Sequence, residues 1–492
     1  MRGQRAGTAV GIAVLVALVG ASVAGRAGAT NGQFAVGYAS AAALTRALAA
    51  THSTLVRDLR PLHLAQVRGD ATALRGRPGI RFVQHVSPRT AAATEPAFSL
   101  AASPEWQLRA LHADTIPDTV LRAASAFTIA VIDTGADLTA PDLAAKSPIA
   151  WNTRTGSTDV RDQNGHGTFV ASLAGGSVTN DDGIAGNGGD AKLLIIKSGS
   201  DRGSFTDMDE AAGIMYAVDH GARIINLSVG GPTTSTTERK GIQYAIDHGA
   251  LVVAAVGNEY GMGNPVEYPA ALLQPVGSNG VGGAGLAVTA SSTDGRRAVF
   301  ANTGSWVSLA APGDHVFGAV SAASSPTLYP RTTLPGAKTG LYGYGSGTSF
   351  AAPQVAGAAA LVWAANPALT AQQVAQILKE TASGNGRWTS DLGFGIVDVA
   401  AAVARAQAGG PVGVLISGRR DKSGKVKLGW SGDASSYTLT QTTDGKSMQT
   451  LLTSTKTTST TLSLKTGHTY VFGITALDAT GAPVSSSMLT LH

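Results

Sequence analysis

Residues 127–137 read FTIAVIDTGAD, and the reading of this stretch decides the fold. From Phe127 to Ile132 the run has no polar face, so it suits a strand buried on both sides, as strands of parallel sheets are. Asp133 ends the run and Thr134-Gly135 breaks it. Outward from this point the pattern repeats in AKLLIIK at 191–197, ARIINLSV at 222–229, ALVVAAVGN at 250–258 and WVSLAAPG at 306–313. Between them lie DMDEAAGIMYAVDHG at 207–221 and TERKGIQYAIDHG at 237–249. Each closes on the glycine expected just past a helix C-terminus. The alternation predicts an α/β fold, a doubly wound and mostly parallel sheet with helices on both faces. Ligands of such sheets gather at the carboxyl ends of the strands.

Four segments bring chemistry to that edge. Asp133 ends the first strand, His166 sits in NGHGTFVASLAGG at 164–176, Asn258 follows ALVVAAVG, and Ser349 lies in SGTSFAAPQVAGAAALV at 346–362 before a long apolar helix. A serine hydroxyl is a poor nucleophile unless a base takes its proton. The base works best when a carboxylate fixes its tautomer and stabilises the imidazolium. A serine at a helix start also gains main-chain N–H groups and the positive dipole end for a developing oxyanion, to which Asn258 adds a side-chain donor. Taken singly, each has an ordinary explanation: an aspartate as a turn former, a serine as a cap, a histidine between glycines as a loop residue.

Together the four motifs, in this order, resemble those of the subtilisin-like serine peptidases, over roughly residues 104–405. The resemblance implies that Asp133 orients the base, that His166 is general base and then general acid, that Ser349 is the nucleophile, and that Asn258 donates to the oxyanion. It implies that NLSVGG at 226–231, with Ser228, Val229 and Gly230, pairs with a substrate's main chain and walls the primary specificity pocket. Gly257 in AAVGN lines the opposite wall and Glu259 its rim, either admitting basic side chains or standing as a solvated acid. The chain departs from the family pattern at Phe169, where a second histidine is common, and at GNGGDA, 186–191. Two long loops, 274–285 and 322–340, are expected to flank the cleft. Asp142, with Asn180, Asp181 and Asp182 in the loop SVTNDDGIAG, matches a calcium position of many subtilisins; a solvated acidic turn is the alternative. No cofactor is required for the chemistry.

The ends of the chain read differently. Arg2 and Arg5, the apolar run GIAVLVALVG at 11–20 and Ala27-Gly28-Ala29 form the pattern of a secretory signal peptide over 1–29, which implies a secreted, extracellular protein free of the membrane after processing. Residues 30–98 suggest a small α+β unit, with strands at 34–38 and 80–86 and a helix at 41–50. The family resemblance makes this unit a propeptide that acts as an intramolecular inhibitor, cut by the enzyme itself between Thr90 and Pro104. After a linker at 406–414, short alternating runs between DG and TG turns predict a β-sandwich over 415–492. There Trp430, Tyr437, Tyr470 and Ala476 resemble the core of fibronectin type III domains.

The expected partners are protein or peptide substrates, with the chain a monomer. With no cysteine among 492 residues, disulfide scaffolds, thiolate metal sites and a cysteine nucleophile are excluded. The net charge of +5 divides into +8 over residues 1–99, −7 over 100–411 and +4 over 412–492. A basic leader on an acidic domain explains the charge and leaves a nucleic-acid partner without support. Two rival readings are an esterase or lipase using the same triad and a non-catalytic binding protein on the same fold. Against the first, the serine motif lacks the second glycine of the G-x-S-x-G elbow.

Overall fold

The computed structural model describes residues 32–91, 105–180, 182–332, 340–409, 413–420, 425–432 and 434–491. The signal-peptide reading, the cleavage segment 92–104 and Asp181 lie outside them.

Seven parallel strands form the central sheet, in the spatial order Leu309–Pro312, Leu286–Ser291, Leu251–Ala255, Ile224–Leu227, Thr128–Asp133, Lys192–Lys197, Ile149–Asn152. Because strand side chains alternate, Ile129 and Val131 enter the core on one face while Ala130 and Ile132 enter the core on the other. Helices Asp207–Asp219 and Thr236–Asp247 cover that second face. The first holds His166–Gly175 and the 18-residue helix Thr348–Ala365, which is buried from Thr348 to Trp363. Such a helix is apolar all round because it is surrounded, and each large side chain it buries is worth about 1.5–3 kcal/mol. Chain order reverses between Thr128–Asp133 and Ile224–Leu227, neighbours in space but first and fourth in sequence among the strands of this sheet. A crevice opens at the carboxyl end of such a switch point.

Two smaller units flank the sheet. Residues 32–85 form a four-stranded antiparallel sheet in the order Thr54–Leu59, Leu64–Gly69, Gly32–Tyr38, Ile80–His85, with the helix Ala41–Thr51 on one face. Leu59, Leu62 and Leu64 on its other face pack on Met208 and Ala211 of the helix Asp207–Asp219. Arg57 adds a 3.0 Å ion pair with Asp209, and Lys240 donates to the Leu62 carbonyl at 2.8 Å. The strand and helix expectations at 34–38, 41–50 and 80–86 fall on observed elements. The edge strand Thr54–Leu59 escaped the reading because Arg57 and Asp58 interrupt its apolar pattern and Leu55 and Val56 are exposed.

Residues 415–491 form two antiparallel sheets, one of three strands and one of four. Trp430, Tyr437, Tyr470 and Ala476 meet in the core between them. This unit touches the main domain through Ser431, which donates to Gln376 Oε1 at 3.1 Å, and through Ser417, which donates to the Ser278 carbonyl at 3.0 Å.

One loop expectation is corrected here. Residues 274–285 do not flank the cleft: they precede the strand Leu286–Ser291, so they lie at the amino end of the parallel sheet, where Lys379 donates to the carbonyls of Gly280 and Gly282. The other loop does reach the cleft side. Ser324 and Tyr329 of this loop lie against Gly165, the residue before His166, and residues 333–339 of the loop are outside the described set.

Candidate active site

Asp133 is the last residue of its strand and wholly buried. Its Oδ1 accepts the Thr134 N–H at 2.7 Å and lies 2.8 Å from His166 Nδ1. His166 opens the helix His166–Gly175. That helix start is held by Asp162, buried and absent from the sequence expectations. Its Oδ1 accepts from the Gly165 N–H at 2.8 Å and the Thr134 hydroxyl at 2.9 Å, and its Oδ2 from the Thr168 N–H at 2.8 Å and the Thr168 hydroxyl at 2.6 Å. An acid satisfying the orphan N–H groups of a first turn is good helix chemistry; here it also ties the strand end of Asp133 to the helix start of His166. The signal was legible as an aspartate four residues ahead of the histidine in DQNGHGT. Gly167 is required because a Cβ there would strike the Gly135 carbonyl.

Ser349 is the second residue of the helix Thr348–Ala365. Its hydroxyl donates to the Ser228 carbonyl at 3.1 Å, while His166 Nε2 has no hydrogen-bond partner among the described residues. The structure thus joins Asp133 to His166 directly and turns Ser349 toward Ser228; free sites commonly hold such bonds open until substrate arrives. A second link runs the other way. Pro353 lacks the N–H that a helix would offer to the Ser349 carbonyl, and Ser228 Oγ supplies it at 2.7 Å, held in turn by Asn226 Nδ2 at 2.9 Å. Asn258 Oδ1 accepts both the N–H and the hydroxyl of Thr348 at 2.9 Å. The amide is thereby oriented, with Nδ2 as its donor end at the start of the Ser349 helix. Phe169 fills its position by packing on Phe350, with ring centroids 4.4 Å apart.

Beside Ser228 lies a cavity of about 210 Å³, lined by Val229, Gly230, Gly231 and Pro232 on one side, Ala255, Gly257 and Glu259 on the other, with Pro265, Glu267 and Thr90 completing it. Gly257 has φ +102°, and a Cβ there would lie 2.6 Å from Glu259 Oε2. Glu259, half-buried, lines the cavity and is not a freely solvated acid. Its Oε2 accepts the Asn258 N–H at 2.7 Å and Asn302 Nδ2 at 3.2 Å. Glu267, missed from sequence, is the second carboxyl of the cavity; burial first, then the charge of Glu259, pushes it up to about 8.

The crevice is occupied by the chain itself. Pro88–Ala91 forms a strand antiparallel to Ser204–Thr206 on one side and to Val229–Gly230 on the other, with Val229 opposite Ala91 and Gly230 opposite Thr90. In this register the strand runs toward Ser228, the residue whose carbonyl meets the Ser349 hydroxyl.

The model of the subtilase family matches residues 124–395, more than half of the chain. The chain belongs to the subtilase family. It is 35% identical over 272 residues to a thermophilic serine proteinase of Bacillus sp. (strain AK1), covering 55% of this chain and 60% of that protein. Against thermitase of Thermoactinomyces vulgaris it is 34% identical over 264 residues, covering 53% of this chain and 83% of that one. The chain therefore spans less than two thirds of the first relative and most of the second. Fervidolysin from Fervidobacterium pennivorans, a keratinolytic enzyme related to subtilisin, shares the fold: the TM-score is 0.63 at 22% identity, covering 94% of this subtilase and 76% of fervidolysin.

The calcium expectation fares differently from the fold. Asp142 is fully buried, but its Oδ1 accepts from the Ile184 N–H at 2.9 Å and the Asn180 amide at 3.4 Å, its Oδ2 from the Tyr342 hydroxyl at 3.0 Å, and burial pushes its carboxyl up to about 6. These partners are donors, and they take the lone pairs that a hard cation needs. No group of three or more His, Cys, Asp or Glu side chains suited to a metal occurs among the described residues. Among the described residues Asp142 anchors the loop through these hydrogen bonds. The melting temperature of this subtilase is expected to change by no more than about 1 °C in excess chelator, and a fall of several degrees in a thermal scan would restore the cation.

Proposed function

We propose that this subtilase is a secreted serine endopeptidase that hydrolyses peptide bonds through an acyl-enzyme, with Ser349 as nucleophile, His166 as base and then acid, Asp133 as its orienting carboxylate and Asn258 as oxyanion donor. One observation carries the reading: a peptide strand of the chain itself, Pro88–Ala91, lies paired along Val229–Gly230 and runs toward Ser349. Main-chain pairing of this kind holds an extended polypeptide with little regard to its sequence. An esterase has no use for it, which favours the peptidase over the ester-hydrolase reading. A binding protein would not need an imidazole held 2.8 Å from a buried carboxylate.

The same strand supports the assignment of residues 30–98 as a propeptide that blocks the cleft until self-cleavage between Thr90 and Pro104. The signal reading of 1–29 supports export, and among the described residues no helix is long and apolar enough to cross a membrane. The division of 415–491 into three- and four-stranded sheets supports a fibronectin type III-like module. It packs at the end of the sheet away from the cleft, which suits a stabiliser or spacer. Purified protein with and without Ser349→Ala, assayed on casein and on a short-chain ester with a serine-directed inhibitor, tests the reading. Inhibitor-sensitive casein hydrolysis lost in the variant is expected; ester hydrolysis alone would transfer the chain to the esterases.

The cavity beside Ser228 is the pocket for the side chain before the scissile bond. Glu267 is protonated below pH about 8 and ionised above it, and a bound cation favours the ionised form. The kcat/KM ratio of lysine over leucine substrates at that position is therefore expected to rise between pH 6.5 and 9.5, by about tenfold for each 1.4 kcal/mol gained. Glu267→Gln is expected to flatten the ratio; an equally steep profile in the variant would move the titrating group elsewhere.

A further inference from the structure

Arg89, on the docked strand, has no exposed side-chain surface. Its Nε donates to Glu238 Oε1 at 3.2 Å, Nη2 lies 3.1 Å from the same oxygen, Nη1 donates to the Pro88 carbonyl at 2.9 Å, and Nε lies 3.9 Å from Glu210 Oε2. Glu238 and Glu210 are themselves wholly buried, and among the described residues neither oxygen of Glu210 has a hydrogen-bond partner. They come from the two helices, Thr236–Asp247 and Asp207–Asp219, that wall the crevice, so they belong to the peptidase domain and not to the segment that fills it.

We infer that Glu238 and Glu210 form a substrate subsite for arginine, for which Arg89 stands in, three residues before the residue whose carbonyl Ser349 attacks. The register sets the position. Gly230 faces Thr90 and Val229 faces Ala91, so Arg89 takes the place opposite Gly231, and the place opposite Ser228 is three residues further on.

Stability does not explain the arrangement. Two carboxyls and a guanidinium taken out of water lose more hydration than a well-packed apolar trio would, so a buried ionic cluster is weak evidence for stability. Apolar side chains in place of all three groups would hold the segment as well without that cost. The acids also remain when the segment leaves. An empty pocket with two facing carboxyls then disfavours apolar side chains, which bring neither donor nor charge, and favours a guanidinium, which donates to Glu238 and sets its positive charge 3.9 Å from Glu210. Arginine suits the site better than lysine because its planar guanidinium donates from Nε to Glu238 while Nη1 reaches a main-chain carbonyl, two directions that a single ammonium does not span with fixed geometry.

This inference rests on the peptidase reading, and the test separates the two. The active enzyme, its concentration fixed by active-site titration, is given fluorogenic peptides that differ only at this position: arginine, lysine, leucine and citrulline, the uncharged isostere of arginine. Casein hydrolysis and anisotropy of the same peptides on the enzyme are measured alongside. Arginine is expected to exceed citrulline and leucine in kcat/KM by about 30-fold or more, the scale of losing one partner of a buried charge pair. In Glu238→Gln the arginine-to-leucine ratio is expected to collapse, and in Glu210→Gln, whose carboxyl stands farther from the guanidinium, to fall less. Casein hydrolysis with equal rates on arginine and citrulline overturns the subsite and leaves the peptidase standing. Arginine-dependent binding without hydrolysis of any peptide or of casein overturns the peptidase reading and leaves the subsite.

Discussion

Replacing Ser349 by alanine is expected to lower kcat on a peptide amide by about 10⁶-fold, the scale of removing a serine peptidase nucleophile, and to leave the chain at its full precursor length. The size follows from what is lost. Without the hydroxyl no acyl-enzyme forms, and the residual rate comes only from the oxyanion donors and from binding. The fold should hardly notice. Ser349 Oγ makes one hydrogen bond, to the Ser228 carbonyl, and losing it costs about 1 kcal/mol, while the Ser228 Oγ to Ser349 carbonyl link survives in alanine. Electrophoresis of freshly produced protein reads the processing, and a trace of wild-type enzyme added in trans should trim the variant. Trimming of Ser349→Ala at the wild-type rate without added enzyme would show that another protease matures the chain, and residual kcat within tenfold of wild type would sink the nucleophile assignment.

The sequence revealed the site better than its surroundings, for a physical reason. A hydrolytic site needs particular residue types at strand ends and helix starts, flanked by glycines that permit close approach, so Asp133, His166, Asn258 and Ser349 stand out locally. The residues that complete the cleft have no such local mark. Arg89 lies 121 residues from Glu210 and 149 from Glu238 along the chain. Asp207, Asp209 and Glu210 read as ordinary first-turn acids complementing a helix dipole, and only the tertiary structure buries Glu210. Glu267 reads as a loop acid until Gly257 and Gly230 let it reach the cavity. The strand LAVTAS at 286–291 emerges from a glycine-rich loop with no boundary of its own in the sequence. The loop before it therefore carries no local mark of its place, whereas a loop that enters a parallel strand must sit at the amino end of the sheet, opposite the cleft.

Asp133→Asn is expected to lower kcat by about 10⁴-fold, the scale for the same change in a serine peptidase triad, with KM changed little because Asp133 is wholly buried behind His166 and touches no substrate. The carboxylate now accepts at Oδ1 from the Thr134 N–H, beside His166 Nδ1, while its Oδ2 has no hydrogen-bond partner among the described residues. An asparagine has two ways to sit there, and both fail. With its oxygen at the Oδ1 place the amide NH2 is buried without an acceptor, at about 1–3 kcal/mol, and the imidazolium formed during catalysis loses its counter-charge. With its nitrogen there, the amide opposes the Thr134 N–H and donates to Nδ1, forcing the ring proton onto Nε2, where it blocks the base facing Ser349. Neither orientation restores turnover. Stopped-flow acylation separates this from damage to binding: the acylation rate should fall by the full factor while the substrate dissociation constant stays within a few-fold. A drop of less than tenfold would mean that the buried pair orients the helix without taking part in proton transfer, and Asp162, which fixes the same helix start, would then suffice for that task.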